Sequence, residues 1–447
     1  MASVNKPKFF IRTYGCQMNF NDSERLARLL LDAGLVFAES EQDADLIIFN
    51  TCAVRDHAEQ RIFGKMKDYI EDKKSGRKVV VAVSGCMIGR DKDGKLKKRL
   101  KPGADLFFTT EKMIDLPEML AELRPDWSLQ SASLTDYLQI KPLRNPSVQA
   151  YVAIQTGCNN FCTYCVVPYA RGLERNRPLK DVLQEVKDAV NKGAKEIILL
   201  GQTVNSYQAS DTQYFNRNNP YQNHFAALLW EVNNIDGVKR IHWTAPYPLQ
   251  IHEQVIDALT LPKQVNYLHL PVQSGSNNVL RKMNRKYTRE QYLEIIKRIK
   301  EKKPDIALGT DIIVGFPEET ELDFQDTISL YKEVDFDISY TAQYSPRSGT
   351  LGYRLYKDKD IACDIKKKRW QELQDLMNKI TARKNKKYQD RIIEVLVIEK
   401  KGGEIMGLNW EYKIVKAKGG DKVEKGDLVK VKISNPQTWQ LNGEVVD

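Results

Sequence analysis

Gly157-Cys158-Asn159-Asn160-Phe161-Cys162-Thr163-Tyr164-Cys165 places three cysteines in one short loop, directly after an apolar run, Ala150–Thr156, that reads as a β-strand. Three thiolates this close cannot complete a four-cysteine structural zinc site without a distant fourth ligand, and Cys363 lies on another element. They do suit a [4Fe–4S] cluster that keeps one iron open for an exogenous chelate. Downstream of the loop the strand–helix pattern recurs. Further strands are expected at Glu196–Leu200, Arg240–Thr244, Tyr267–Leu270, Ala307–Val314 and Asp337–Gln343, with helical stretches such as Val182–Asn191 and Gln291–Glu301 between them. Six βα units over residues 147 to 360 predict a partial or complete barrel, with its reactive groups at the carboxyl ends of the strands.

Upstream, residues 1 to about 125 alternate short apolar runs with amphipathic stretches. Lys8–Thr13, Asp45–Phe49, Lys78–Val83 and Asp105–Thr109 read as strands, and Asp22–Asp32 as a helix with Leu26, Leu29 and Leu30 on one face. This alternation predicts a doubly wound parallel sheet. Cys16, Cys52 and Cys86 each fall just past a candidate strand. In such a sheet the carboxyl ends meet along one edge, so the three should converge there as a second set of three ligands. Gly15 and Gly85 let the chain turn tightly beside them. The bland alternative is that cysteine, a small hydrophobe, fills three strand ends. The polar stretch Arg124 to Pro146 reads as the linker to the barrel segment.

The last part changes character. Residues 364–391 hold ten basic and four acidic side chains, with Trp370, Leu373, Leu376, Met377 and Ile380 at helical spacing. Beyond them Ile392–Ile398, Tyr412–Lys416 and Leu428–Ile433 predict a small antiparallel β-barrel. The formal net charge of +10 suits a polyanionic partner. No apolar run approaches the ~18 residues that span a bilayer, and Met1 to Lys8 lacks a secretory h-region, so a cytoplasmic protein without membrane attachment is expected. In that reducing compartment seven cysteines point to metal or catalysis and away from disulfides. The five histidines are scattered, and His269 reads as a packed core side chain. The loop Tyr207–Asn223 carries Tyr207, Tyr214, Phe215 and Tyr221, and reads either as a stacking surface for an unpaired base or as a plain solvated insertion.

Across nearly its whole length the sequence resembles the radical-SAM methylthiotransferases. The resemblance rests on Thr13-Tyr14-Gly15-Cys16-Gln17-Met18-Asn19 and on the Cys158–Cys165 run with its continuation Val166-Val167-Pro168-Tyr169-Ala170-Arg171-Gly172. It extends to His269-Leu270-Pro271-Val272-Gln273-Ser274-Gly275-Ser276, Asp311-Ile312-Ile313-Val314-Gly315-Phe316-Pro317 and Tyr344-Ser345-Pro346-Arg347-Ser348-Gly349-Thr350. The opening and the cysteine core look most like the MiaB type. Ala245-Pro246-Tyr247-Pro248 departs from the family pattern, where a Ser-His-Pro-like stretch is expected.

The resemblance implies a methylthiotransferase domain at 1–125, a radical-SAM core at 147–380 that forms a (β/α)6 partial barrel, and a TRAM RNA-binding barrel at 383–447. It implies two [4Fe–4S] clusters, on Cys158, Cys162 and Cys165 and on Cys16, Cys52 and Cys86, the second carrying an extra sulfur ligand or lacking one iron. S-adenosylmethionine would be contacted by Tyr164, Gln202 and Gln273, with no separate acid or base. The implied reaction converts N6-isopentenyladenosine at position 37, in the anticodon stem-loop of tRNA, to its 2-methylthio derivative. One S-adenosylmethionine gives the methyl group, and another is cleaved reductively with an electron from an unidentified donor. Sister enzymes act on threonylcarbamoyl-adenosine or on an aspartate of a ribosomal protein. A different class, a non-catalytic iron–sulfur RNA-binding protein that senses redox state, is distinguished by failing to form 5′-deoxyadenosine when fully reconstituted and reduced.

Overall fold

The computed structural model describes residues 6–446 apart from 54, 55 and 132, with the backbone alone for 56–58. Its N-terminal part is a five-stranded sheet: β1 (Lys8–Tyr14), β2 (Val36–Phe37), β3 (Leu46–Thr51), β4 (Val80–Gly85) and β5 (Leu106–Phe107), in the order β2-β1-β3-β4-β5. All four pairings are parallel. Both faces are covered, as a fully apolar strand requires. Leu46 and Ile48 of β3 pack with Leu26, Leu29 and Leu30 of the helix Gln17–Asp32. Ile47 and Phe49 point the other way, towards Ile62, Met66 and Tyr69 of the helix Asp56–Lys74.

The central part begins with β6 (Gln149–Ala153), followed by the small hairpin β7 (Gln155–Thr156) and β8 (Arg175–Asn176). The strands β9 (Glu196–Leu200), β10 (Arg240–Trp243), β11 (Tyr267–His269), β12 (Ala307–Val314) and β13 (Ile338–Gln343) complete it. β6, β9 and β10 pair in parallel, as do β11, β12 and β13. The two sheets join just before β11, where Ile241 N donates to Lys263 O (2.7 Å) and Val265 N to Ile241 O (3.1 Å). The result is a six-stranded partial barrel, with β6 and β13 as its edges among the described residues. Ile197 and Leu199 of β9 face the surrounding helices, whereas Ile198 and Leu200 join the core of the N-terminal part. The helix Gln17–Asp32 lies against the edge strand, with Asn21 Nδ2 donating to Tyr151 O at 2.9 Å.

Two expectations need correction. The Arg124–Pro146 stretch is not a solvated linker: Trp127, Tyr137, Leu138 and Ile140 are buried in the N-terminal core. Arg25, itself fully buried, donates to the carbonyls of Leu138 and Ile140 and fixes the strap in place. The C-terminal barrel comprises β14 (Ile392–Lys401), β15 (Glu404–Asn409), β16 (Ile414–Lys418), β17 (Leu428–Pro436) and β18 (Leu441–Val446), closed in the order β14-β15-β16-β18-β17. It is not wholly antiparallel, because β16 and β18 run parallel. An odd number of strands cannot alternate direction around a closed ring, so one like-directed pair is unavoidable. This barrel docks on the amino-terminal end of the central one. Arg240 Nη1 donates to Leu408 O (2.7 Å) and Asn409 O (3.1 Å), and Asn266 N donates to Trp410 O (2.7 Å). The Tyr412 ring lies 4.3 Å from that of His242.

Candidate active site

The loop after β6 is shaped by its backbone. Gly157 has φ of +79°, and a methyl group there would stand 2.0 Å from Leu173 O, so no side chain fits. Phe161, with φ of +47°, is held in the left-handed region by Asn284 Nδ2 donating to its carbonyl at 3.0 Å. Thr163 N donates to Met283 O (3.0 Å), and Gly352 N donates to Thr163 O (2.6 Å). The loop is therefore braced from two later βα units.

Each thiol of this trio has a donor aimed at it. Asn160 N and Nδ2 lie 3.5 Å from Cys158 Sγ, Val167 N lies 3.4 Å from Cys165 Sγ, and Arg285 Nη1 lies 3.3 Å from Cys162 Sγ. Cys158 and Cys162 are buried. Burial, with Cys162 beside it, pushes the Cys165 thiol up to about 12. A cluster binding here has to displace that proton, so uptake should favour higher pH.

The second trio stands at the carboxyl edge of the N-terminal sheet. Cys16 follows β1, Cys52 follows β3 and Cys86 follows β4, all at the carboxyl edge of neighbouring strands. Gly85 turns the chain with φ of +92°, and a Cβ there would lie 2.3 Å from Thr51 O. A hydrogen bond from Cys52 and the charge of Arg171 pull the Cys16 thiol down to about 6, against the effect of desolvation. Cys16 remains open to solvent, while Cys52 and Cys86 are buried. Burial raises the Cys86 thiol, although Arg171 Nε donates to its sulfur at 3.2 Å.

The two trios share a wall. The helix Val167–Arg171 leads directly away from Cys165 and ends at the arginine that touches Cys86. Ala53, Cys86, Val166 and Ala170 form one buried apolar group. A Cβ on Gly89 would sit 2.2 Å from Ala170 O, so this helix and Cys86–Arg90 are in backbone contact. Cys363 is exposed at the start of the helix Cys363–Asn385, outside both trios.

Among the described residues no three His, Cys, Asp or Glu side chains converge tightly enough for a single metal ion. The donor sets do fit iron–sulfur clusters: three thiols each, with N–H groups aimed at sulfur, and a cuboidal cluster spreads its ligands wider than one ion does. Gln202 Oε1 is buried and has no hydrogen-bond partner among the described residues, which fits a polar ligand at that strand end. Gln273 is buried at φ of +73°, with its N–H donating to Asp311 O at 2.9 Å. Tyr164 packs against Val279, Met283, Phe316 and Tyr344.

Other readings change. His269 is not simply packed, since its Nε2 lies 3.1 Å from Asp311 Oδ1 and its Nδ1 3.1 Å from the Tyr267 hydroxyl. In the Tyr207–Asn223 loop, Tyr207 is fully buried and Phe215 and Tyr221 pack on the barrel core, which leaves Tyr214 as its exposed ring. Arg171 and Arg285 as sulfur donors were missed. Arg171 lies in the Val166–Gly172 continuation of the cysteine run, and nothing in its spacing assigns it to Cys86.

Residues 152–331 match the Radical SAM superfamily, and residues 8–109 match the Uncharacterized protein family UPF0004. Membership of the first implies a [4Fe–4S] cluster and S-adenosylmethionine. Among solved structures, a cobalamin- and [4Fe–4S]-bound radical S-adenosylmethionine methyltransferase, TsrM, from Kitasatospora setae shares the fold, with a TM-score of 0.56 and 13% identity over 78% of this chain and 77% of that one. The tRNA-2-methylthio-N(6)-dimethylallyladenosine synthase of Thermoanaerobacter sp. (strain X514) is 40% identical over 100% of this chain and 95% of its own length. Its counterpart in Clostridium tetani (strain Massachusetts / E88) is 40% identical over 99% and 97%. With the two thiol trios, the partial barrel and this full-length similarity together, the chain belongs to the family of tRNA-2-methylthio-N(6)-dimethylallyladenosine synthases.

Proposed function

We propose that this chain is a radical-SAM methylthiotransferase that converts N6-isopentenyladenosine at position 37 of tRNA to its 2-methylthio derivative in the cytoplasm. The observation that carries the reading is the shared wall between two three-thiol sets, in a chain related over its full length to synthases of that name. When bound, two iron–sulfur clusters and S-adenosylmethionine supply the radical and the methylthio group. The chain's own residues hold them. Cys158, Cys162 and Cys165 would ligate one cluster, and Cys16, Cys52 and Cys86 the other. Tyr164, Gln202 and Gln273 would line the S-adenosylmethionine site, with the unpartnered Gln202 amide oxygen free to accept from it. The division of labour follows the segments 1–125, 147–380 and 383–447. Tight packing between the helices Cys86–Arg90 and Val167–Arg171 keeps the two sites in one fixed geometry, which a two-centre transfer to a single carbon requires.

Nucleoside mass spectrometry of tRNA from a deletion strain tests this. Loss of the 2-methylthio nucleoside with accumulation of N6-isopentenyladenosine is expected. Loss of the 2-methylthio form of threonylcarbamoyl-adenosine instead would reassign the substrate.

RNA contacts are expected along the basic segment from the helix Cys363–Asn385 to the turn that follows it. Lys367, Lys368, Lys386 and Lys387 are exposed, but Lys384 is not available: its Nζ is paired with Asp337 at 2.8 Å. Changing the four exposed lysines to Glu should weaken tRNA binding and flatten its salt dependence by about 0.7 in log–log slope per lost phosphate contact. Deoxyadenosine formation without tRNA should not change. An unaltered slope in a salt titration would return the helix to a purely structural role.

A further inference from the structure

Each thiol trio has a guanidinium beside it, that of Arg171 buried and that of Arg285 half-buried, and the two are compensated differently. Arg171, next to Cys86, is ion-paired with Asp22, both side chains at most 3% exposed. Arg285, next to Cys162, has only neutral partners besides the thiol. Its Nε donates to the Tyr287 hydroxyl (2.9 Å) and its Nη2 to Pro271 O (3.3 Å). Its guanidinium carbon lies 4.6 Å from the ring centre of Tyr247 and 5.0 Å from that of Tyr287. Among the described residues no carboxylate stands within the 4.0 Å of an ion pair with it. A half-buried cation with no carboxylate beside it is screened less than one in open water and gains from a counter-charge brought next to it. A thiolate-ligated iron–sulfur cluster is anionic and would do so.

We infer that Arg285 is a positioning residue that raises the reduction potential of the cluster held by Cys158, Cys162 and Cys165, so that the electron settles there and not at the Cys16, Cys52 and Cys86 site. The inference rests on the proposal that each trio holds a cluster. One electron from an external low-potential donor adds one negative charge to whichever cluster accepts it. Beside Arg285 that charge meets an uncancelled cation and a hydrogen bond to sulfur, both of which favour the reduced form. Beside Arg171 the carboxylate of Asp22 cancels most of the same effect. The chain would thereby sort two chemically similar centres by charge alone.

Potentiometric titration followed by electron paramagnetic resonance, with dithionite as reductant and neither S-adenosylmethionine nor RNA present, reads this directly. In full-length protein carrying C16A, C52A and C86A, R285Q should keep its iron while the midpoint falls by about 59 mV or more, a tenfold shift in the oxidised-to-reduced ratio for one electron. R285K, which keeps the charge, should stay near the parent. In protein carrying C158A, C162A and C165A, D22N should shift the remaining cluster to more positive potential. An unchanged midpoint in iron-replete R285Q overturns the inference, as does an unchanged midpoint in D22N. Should R285Q lose iron, R285K decides: a midpoint displaced by about 59 mV or more despite the retained charge also overturns it. Absence of iron from the parent overturns the cluster assignment itself, and iron analysis separates that failure from the others.

Discussion

Replacing Cys158, Cys162 and Cys165 together with Ala should remove about half of the iron that reconstituted protein takes up and abolish 5′-deoxyadenosine formation, because each trio supplies a full three-thiolate set of its own. The proposed N-terminal cluster should survive, since none of its thiols has been touched. Exchanging Cys16, Cys52 and Cys86 gives the converse: deoxyadenosine is still formed in some measure, and the methylthio product disappears. The shared wall makes this a demanding test. Cys86 and Val166 belong to one buried group, so a single mixed site fed by both trios would lose all of its iron in either variant. Iron analysis with Mössbauer spectra of both triple variants distinguishes the cases. Complete loss, or complete retention, in either one refutes two separable clusters.

Glu185→Gln is expected to cost about 3–5 kcal/mol of stability, the range for removing one partner from a buried ion pair. Glu185 sits on the helix Leu179–Asn191, 7% exposed, and holds three guanidiniums: Arg177 at 2.7 Å, Arg25 at 3.1 Å, and Arg144. Arg25 comes from the N-terminal helix and Arg144 from the strap before β6, so one carboxylate pins three segments. Desolvation pushes its pKa up, but Arg177, Arg25 and Arg144 outweigh that and hold it down at about 2. The native carboxylate is thus favoured over the unfolded one. Its contribution is complete above the ordinary value of 4.5 and is lost as pH falls towards about 2. The gap in urea midpoint between parent and variant should be wide at neutral pH and narrow as pH drops through that window. A gap that stays constant down to pH 2 would mean that the loss is one of packing and not of charge.

Much of the fold was legible because the decisive elements are local. Glu196–Leu200 is an apolar run led by one charged residue and closed by Gly201, so pattern alone sets its ends. The placement of Cys16, Cys52 and Cys86 at one sheet edge was legible because strand ends in parallel sheets converge by topology, and Cys158, Cys162 and Cys165 share one short loop. What failed depends on contacts distant in sequence. The strap that includes Tyr137 and Leu138 looks polar, and only Arg25, over a hundred residues earlier, explains its burial. Strands β15 and β18 were missed because Gly407 and Gly443 interrupt their patterns. Both positions need glycine, since a Cβ would meet Leu396 O at 2.2 Å and Lys432 O at 2.1 Å. Lys384 is indistinguishable in sequence from its exposed neighbours, because its partner Asp337 lies far upstream, just before β13.

The docking of the C-terminal barrel on the amino-terminal end of the central one makes the three segments poor modules. Arg240 and Glu196 form an ion pair with both side chains fully buried, and the arginine's remaining donors are satisfied by the carbonyls of Leu408 and Asn409. Cutting the chain before residue 392 would strip those acceptors away and open the pair to water. At the other flank, Ile198 and Leu200 of the barrel are part of the N-terminal core. Neither end can be detached, or exchanged for a relative's, without redesigning the surface it leaves behind. Segments that read as separate in the sequence are therefore joined by buried contacts on both flanks of the central barrel.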